Sequence, residues 1–254
     1  MSKSKGISKH PLFKLGKIEA KRDSRNLKFA AILRVPAKLP AEYDFDVANT
    51  GIPTPMFAND KLGDCVIAGR AHQTLRFERR EQGKTLKITD AQVTKEYLKQ
   101  TGGGDTGLVV LESLKLWRSR GWHVADGNYR IEAFTELNRA TRNEIKQAIY
   151  LDVGVGIGLA LPISARAQFD AGKPWDTVSG PNGKVDSWGG HYVFCSGYTK
   201  RGPVCITWGR KQQLTWRFFA KYCDEAYAIF DKLNQKKSKK ALDTRAVKAF
   251  LAKL

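Results

Sequence analysis

The sequence contains no run of about eighteen apolar residues, so nothing in it reads as a membrane-spanning helix. Met1-Ser2-Lys3-Ser4-Lys5 leads into no apolar stretch of the signal-peptide kind. The expectation is a soluble, cytoplasmic protein, or a virion component if the chain is phage-encoded. Cysteine and histidine are scarce. The four cysteines (65, 195, 205 and 223) show no Cys-x-x-Cys spacing and the four histidines (10, 72, 123 and 191) are scattered, which argues against a zinc site; no metal or other cofactor is expected. Cys195 and Cys205 can face each other across a hairpin and read as reduced strand residues. Nucleotide signatures are missing as well. The Gly102 to Gly107 loop lacks the Gly-Lys-Ser/Thr ending of a phosphate loop, and the glycine-rich run Val153 to Leu161 precedes Pro162 rather than a helix. That run reads as a strand whose glycines admit another backbone.

What is present is charge, and it is unevenly placed. The 254 residues carry a net charge of +19 with 42% hydrophobic content, enough to bury a substantial core. Residues 1–40 hold 11 Lys/Arg against 2 acids and residues 231–254 hold 8 against 2, while residues 41–230 are nearly balanced at 25 against 21. The expected organisation is a basic N-terminal extension (1–40), a globular domain (41–230) and a basic C-terminal tail (231–254). Two basic arms suggest attraction to a nucleic acid, an acidic protein or another polyanion. Neither arm carries a recognised nucleic-acid signature.

Chemistry points to two stretches. Asn59-Asp60-Lys61-Leu62-Gly63-Asp64-Cys65 reads as a loop turning into a helix with the thiol in its first turn, Gly63 for the tight turn and Asp64 as N-cap; residues 66 to 82 have roughly helical spacing, and Glu81-Gln82-Gly83-Lys84 reads as the turn after it. A thiol in that first turn feels the positive end of the helix dipole, which lowers its pKa toward the reactive range. The same residue also reads as a structural thiol at a helix start. The second stretch is Trp188-Gly189-Gly190-His191-Tyr192-Val193-Phe194-Cys195, a histidine opening a bulky apolar strand, followed by a hairpin partner Val204-Cys205-Ile206-Thr207-Trp208-Gly209.

A cysteine at a helix start, then a histidine on a distant strand, then a partner strand ending in Trp-Gly resembles the papain-like cysteine peptidases. That family also places an amide side chain six residues ahead of its cysteine, here Asn59 in place of Gln. The segments Thr101 to Gly107 and Glu144 to Ala148 are similar to family segments too, so the likeness spans about residues 40 to 230. The resemblance implies an α+β fold, in which a helical lobe carrying the cysteine packs on an antiparallel β-sheet lobe. It implies a hydrolase in which His191 takes the Cys65 proton, the thiolate attacks a peptide carbonyl, and Asn59 with the Cys65 N–H holds the oxyanion. The departure is Ile206, which stands where papains have the Asn that orients the imidazole. Orientation then comes from Thr207, from a loop acid such as Asp186, from a backbone carbonyl, or from nothing.

Two other readings stay open: a papain-fold protein that no longer cleaves and binds a polyanionic partner through its arms, and a cell-wall amidase or peptidase of related topology. Pro11 to Leu39 has apolar residues without helical period and reads as an extended strap along the domain. Papain-like zymogens cover their cleft with an N-terminal segment; this one is shorter and less helical, and a packed extension is expected. Further on, Thr89-Asp90-Ala91-Gln92 is a capping box, residues 107–120 form an amphipathic helix, Thr141 starts a helix to Tyr150, Tyr129 to Phe134 reads as a short strand, residues 170–189 as a long loop delivering His191, Thr215 as the start of a short helix, and residues 226–230 as the closing strand.

Overall fold

Three runs of apolar residues in the second half, Gly154–Leu161, Gly189–Tyr198 and Cys223–Phe230, lie side by side as the centre of an antiparallel sheet. A computed structural model describes residues 13–34, 36–151, 154–231 and 240–251. Among these, the strands are β1 (Tyr43–Asp44), β2 (Trp122–Val124), β3 (Gly127–Tyr129), β4 (Ala133–Glu136), β5 (Gly154–Leu161), β6 (Gly189–Tyr198), β7 (Pro203–Thr207), β8 (Arg210–Gln213) and β9 (Cys223–Phe230). The helices are α1 (Phe45–Ala48), α2 (Cys65–Gln82), α3 (Asp90–Thr101), α4 (Val110–Ser119), α5 (Arg142–Tyr150), α6 (Ile163–Asp170), α7 (Trp216–Tyr222) and α8 (Thr244–Leu251). The main sheet runs β4-β9-β5-β6-β7-β8, with β1 added at the far end of β6; β2 and β3 form a separate hairpin.

Because side chains alternate across a strand, the sheet serves two cores. One face, with Val155, Ile157, Leu159 and Val193, packs with α5, α6 and α7. The other contributes Tyr192, Tyr227 and Ile229 to a core shared with α2, α3 and α4. Helix α2 is buried along most of its length, so its charged residues need internal partners. Arg70 meets Glu96 at 3.2 Å and the Ser113 carbonyl at 2.9 Å, and Arg76 meets Asp46 at 2.7 Å. Pinning α2 in this way fixes Cys65 at its first residue.

The capping box at Thr89 and Gln92 forms as expected, and Gly83 ends α2 in the left-handed conformation. Cys195 and Cys205 pair across the β6–β7 hairpin as free thiols. Elsewhere the structure corrects the sequence. Pro162 does not end the local structure: it is the N-cap of α6, where its fixed φ suits a helix start. The β5 glycines admit side chains rather than backbone, Gly154 facing Gln73 and Gly156 facing the Tyr192 hydroxyl. The 129–134 strand is two strands, β3 and β4. The closing strand starts at Cys223 rather than Ala226. In the basic tail, α8 docks with Val247 buried, Leu33 bridges to Leu242, and the Arg34 and Asp243 amides donate to the Ala241 and Ile32 carbonyls. No helix among the described residues is long and apolar enough to cross a membrane.

Candidate active site

The loop that delivers Cys65 is held in a costly backbone conformation. Phe57 and Ala58 have φ of 56° and 63°, a region that side chains with a Cβ disfavour, and the Lys61 and Leu62 amides both donate to the Ala58 carbonyl. Asn59 is buried, and its side-chain amide donates to the Leu62 carbonyl at 3.1 Å, closing the loop on itself. Gly63 follows, its N–H donating to Asp105 Oδ1 at 2.8 Å; the same oxygen accepts from Tyr97 at 2.7 Å, and Tyr97 accepts from the Gly107 N–H. Asp105 and Tyr97 therefore set where α2 begins. The sequence drew attention to the Gly102 to Gly107 loop, but nothing in it signals that Asp105 reaches back to Gly63. Asp64 stands at the N-cap position yet makes no capping bond with its side chain; both carboxyl oxygens are buried without a partner. Burial pushes its pKa up to about 8, so at neutral pH it is largely a protonated acid and not the anionic cap expected.

Facing this loop, β6 brings in His191 and Tyr192. The Tyr192 N–H donates to Cys65 Sγ at 3.4 Å, which places the thiol against the residue next to His191. Thr207 Oγ1 lies 2.7 Å from His191 Nε2. Of the groups considered for orienting the imidazole, Thr207 is the one in place; the Asp186 backbone instead donates to the Ala160 carbonyl. Nδ1 of His191 is buried with no hydrogen-bond partner. Trp208 stacks on the imidazole with ring centroids 4.3 Å apart and planes 15° from parallel, and its own φ of 42° is the strain that turns the chain to put it there. Phe13, Phe169, Trp175 and Trp188 surround that indole.

Cys65 is not the low-pKa thiol that the helix dipole predicts. Burial pushes it up to about 12, only partly opposed by the Tyr192 and Gly16 backbone, and burial alone drives His191 down to about 3. Removal of water from both groups outweighs a dipole contribution of about 0.3–1 kcal/mol at a helix end. In this arrangement the pair is a neutral thiol and a neutral imidazole.

The strap is part of what buries them. Residues 13–18 run between the two lobes directly over the site. The Lys14 N–H donates to the Asn59 carbonyl (3.0 Å), Lys17 to Gly190 (3.1 Å) and Ile18 to Leu108 (2.9 Å), while the Leu108 N–H donates to Gly16 (2.8 Å). Gly16 rests on Gly63, so close that a Cβ on Gly16 would stand 1.6 Å from the Gly63 oxygen. Over residues 13–18 the strap is extended as read from the sequence, but it crosses Cys65 and His191 instead of packing elsewhere, and farther along Phe29–Ala31 forms a 3-10 helix that the reading did not include.

Among the described residues, one group of carboxylates, Glu78, Glu81 and Asp231, lies close enough to suggest a cation. Each is also engaged by other groups, and Glu78 is thirteen residues along α2 from Cys65, about 20 Å away.

No family model and no curated protein matches the sequence. Solved structures match the fold. Xylellain, a cysteine protease from Xylella fastidiosa, aligns over 90% of this chain and 100% of its own with a TM-score of 0.67 at 14% identity. The fold is papain-like. A procathepsin B from Trypanosoma congolense (TM-score 0.61, 14% identity, 86% of this chain and 87% of that one) and a Carica candamarcensis cysteine protease (TM-score 0.56, 13% identity, 76% and 100%) agree. The papain-like arrangement accounts for the α+β architecture, with the cysteine helix in one lobe and the antiparallel sheet in the other.

Proposed function

We propose that the chain is a papain-like cysteine peptidase whose own residues 13–18 mask its catalytic pair, with 41–230 as the catalytic unit and 1–40 and 231–254 as its basic extensions. One observation carries this reading: Thr207 meets His191 at Nε2 and leaves Nδ1 buried without a partner, while the N–H of the next residue on the same strand, Tyr192, donates to the Cys65 sulfur. With Nε2–H donating to Thr207, Nδ1 bears the lone pair of a general base. Once the strap leaves, Nδ1 takes the Cys65 proton, and the sulfur attacks the carbonyl carbon of a peptide. The oxyanion would accept from the Cys65 N–H at the first turn of α2 and from the Asn59 amide. Collapse breaks the C–N bond, the imidazolium protonates the departing amine, and water then hydrolyses the thioester. Losing one such oxyanion donor costs about 2.7–4 kcal/mol in kcat.

The experiment is labelling by a thiol-reactive peptide electrophile alongside peptide hydrolysis. Cys65→Ala abolishes both; labelling that survives moves the reactive thiol elsewhere. A second reading has its own support in Ile206, which cannot orient an imidazole, and in the neutral, buried state of the pair: a cleavage-silent papain-fold protein whose basic extensions bind a polyanion. It requires no Cys65 labelling and a mobility shift on DNA that weakens steeply with salt.

A further inference from the structure

The strap crosses the site as an extended segment, and one of its side chains enters the sheet lobe. Lys17 has a side chain only 1% exposed, with Nζ 2.8 Å from Asp224 Oδ2 and 3.5 Å from Glu225 Oε1, and also donating to the Ile18 carbonyl at 3.2 Å. Both acids stand at the start of β9. Across from them Gly158 of β5 supplies room, since a Cβ there would lie 2.3 Å from Lys17 Cε and 2.6 Å from Glu225 Cγ. Gly154, Gly156 and Gly158 share one face of β5; the first two receive side chains from α2 and β6, and the third receives the strap.

The pocket holds more negative capacity than one ammonium uses. Tyr227 donates to Glu225 Oε2 at 3.2 Å, which leaves Oε1 buried with no hydrogen bond, and Asp224 Oδ1 is buried without one as well. Burial holds the Glu225 carboxyl up at about 7 in spite of Lys17. Glu225 is buried and Asp224 one-third exposed, and a cation between the two offsets the cost of charging the buried one. The backbone of Lys17 is held too, its N–H on Gly190 and its neighbours on Leu108, so main chain is gripped while the side chain is read by a pocket. Strand-like recognition of an extended peptide has this division of labour.

We infer that Asp224, Glu225 and Gly158 form the side-chain specificity site of the enzyme, selecting peptides with arginine or lysine at the residue gripped by Gly190 and Leu108, and that Lys17 fills it as a stand-in. The inference rests on the peptidase reading. Gly16, beside Lys17, rests on Gly63 near the sulfur, so the selected residue falls within the two positions next to the scissile carbonyl. Arginine should be favoured over lysine, because its planar fork can occupy the two oxygens that the ammonium leaves without hydrogen bonds.

The test uses the full-length chain and peptide electrophiles carrying Arg, Lys, Leu or Glu at either of the two positions before the reactive group, with Cys65 labelling followed by intact mass. Arg and Lys probes should label at least tenfold faster than Leu, and Asp224→Asn with Glu225→Gln should erase that ratio. Opening of the strap is common to all probes and cancels from the ratio. A Leu probe that is as fast or faster overturns the specificity site while leaving the reactive Cys65 standing. The Lys17→Ser chain, whose pocket is empty, is run in parallel; Cys65 unlabelled by every probe in both chains overturns the peptidase reading and this inference with it.

Discussion

A single methyl group at Gly16 should unmask the thiol. The Cβ of Gly16→Ala would stand 1.6 Å from the Gly63 oxygen and 2.3 Å from its carbonyl carbon, and both belong to backbone that Asp105 anchors at 2.8 Å. Neither neighbour is a flexible side chain that can turn aside. Overpacking of this kind typically costs about 1–3 kcal/mol. If all of it falls on the seated strap, the open population rises about 5- to 150-fold. Opening also hydrates the thiol. Burial raises the pKa of the seated thiol so that it is scarcely ionised at pH 7, against about 3% thiolate for a free cysteine near 8.5, so reaction is favoured in the open form. Labelling by iodoacetamide at pH 7, read by intact mass, should therefore accelerate by the same 5- to 150-fold in Gly16→Ala. Glu19→Ala, an exposed change on the same segment, should leave the rate alone. An unchanged rate in Gly16→Ala would refute the claim that the strap gates the thiol.

Two further outcomes are expected. In the Gly16→Ala background, Thr207→Val should lower peptide hydrolysis by roughly 5- to 13-fold, the worth of one net hydrogen bond of about 1–1.5 kcal/mol, and Thr207→Ser should restore it; steady-state kcat measures both. Asp64 binds its proton more tightly when folded (about 8) than when unfolded (about 4), so its contribution to stability is lost as pH rises from 4 through 8. Urea midpoints at pH 5 and 8.5 should differ less in Asp64→Asn than in the unaltered chain.

The cysteine helix, the histidine strand and the Trp-Gly hairpin were legible because each rests on local chemistry: a glycine turn before a helical period, a glycine pair before an apolar strand, and a close reversal after Tyr198. Thr207 was legible only as one of several candidates, since a register shift between Cys195 and Gly197 alters which β7 residues stand beside His191 and no local pattern announces it. The protonation of Cys65 was misread because a dipole is visible in sequence, whereas burial by a distant segment is not. The same holds for Lys17 and Asp224: one lysine among eleven basic residues of an extension looks like any other until tertiary structure puts two acids around it.

Residues 29–34, beyond the part of the strap in the groove, are fastened to the C-terminal segment through the Leu33–Leu242 bridge, the hydrogen bond from the Asp243 N–H to the Ile32 carbonyl and the Arg34–Asp243 ion pair. Departure of the strap from the groove is thereby a unimolecular swing about a tether, not a dissociation. Its rate is independent of protein concentration, and a short tether returns the segment at an effective concentration on the order of millimolar. On the peptidase proposal, a peptide arriving from solution competes against that figure, so weakly held chains would be turned away and only those bound tightly enough to outlast the returning strap would be cleaved.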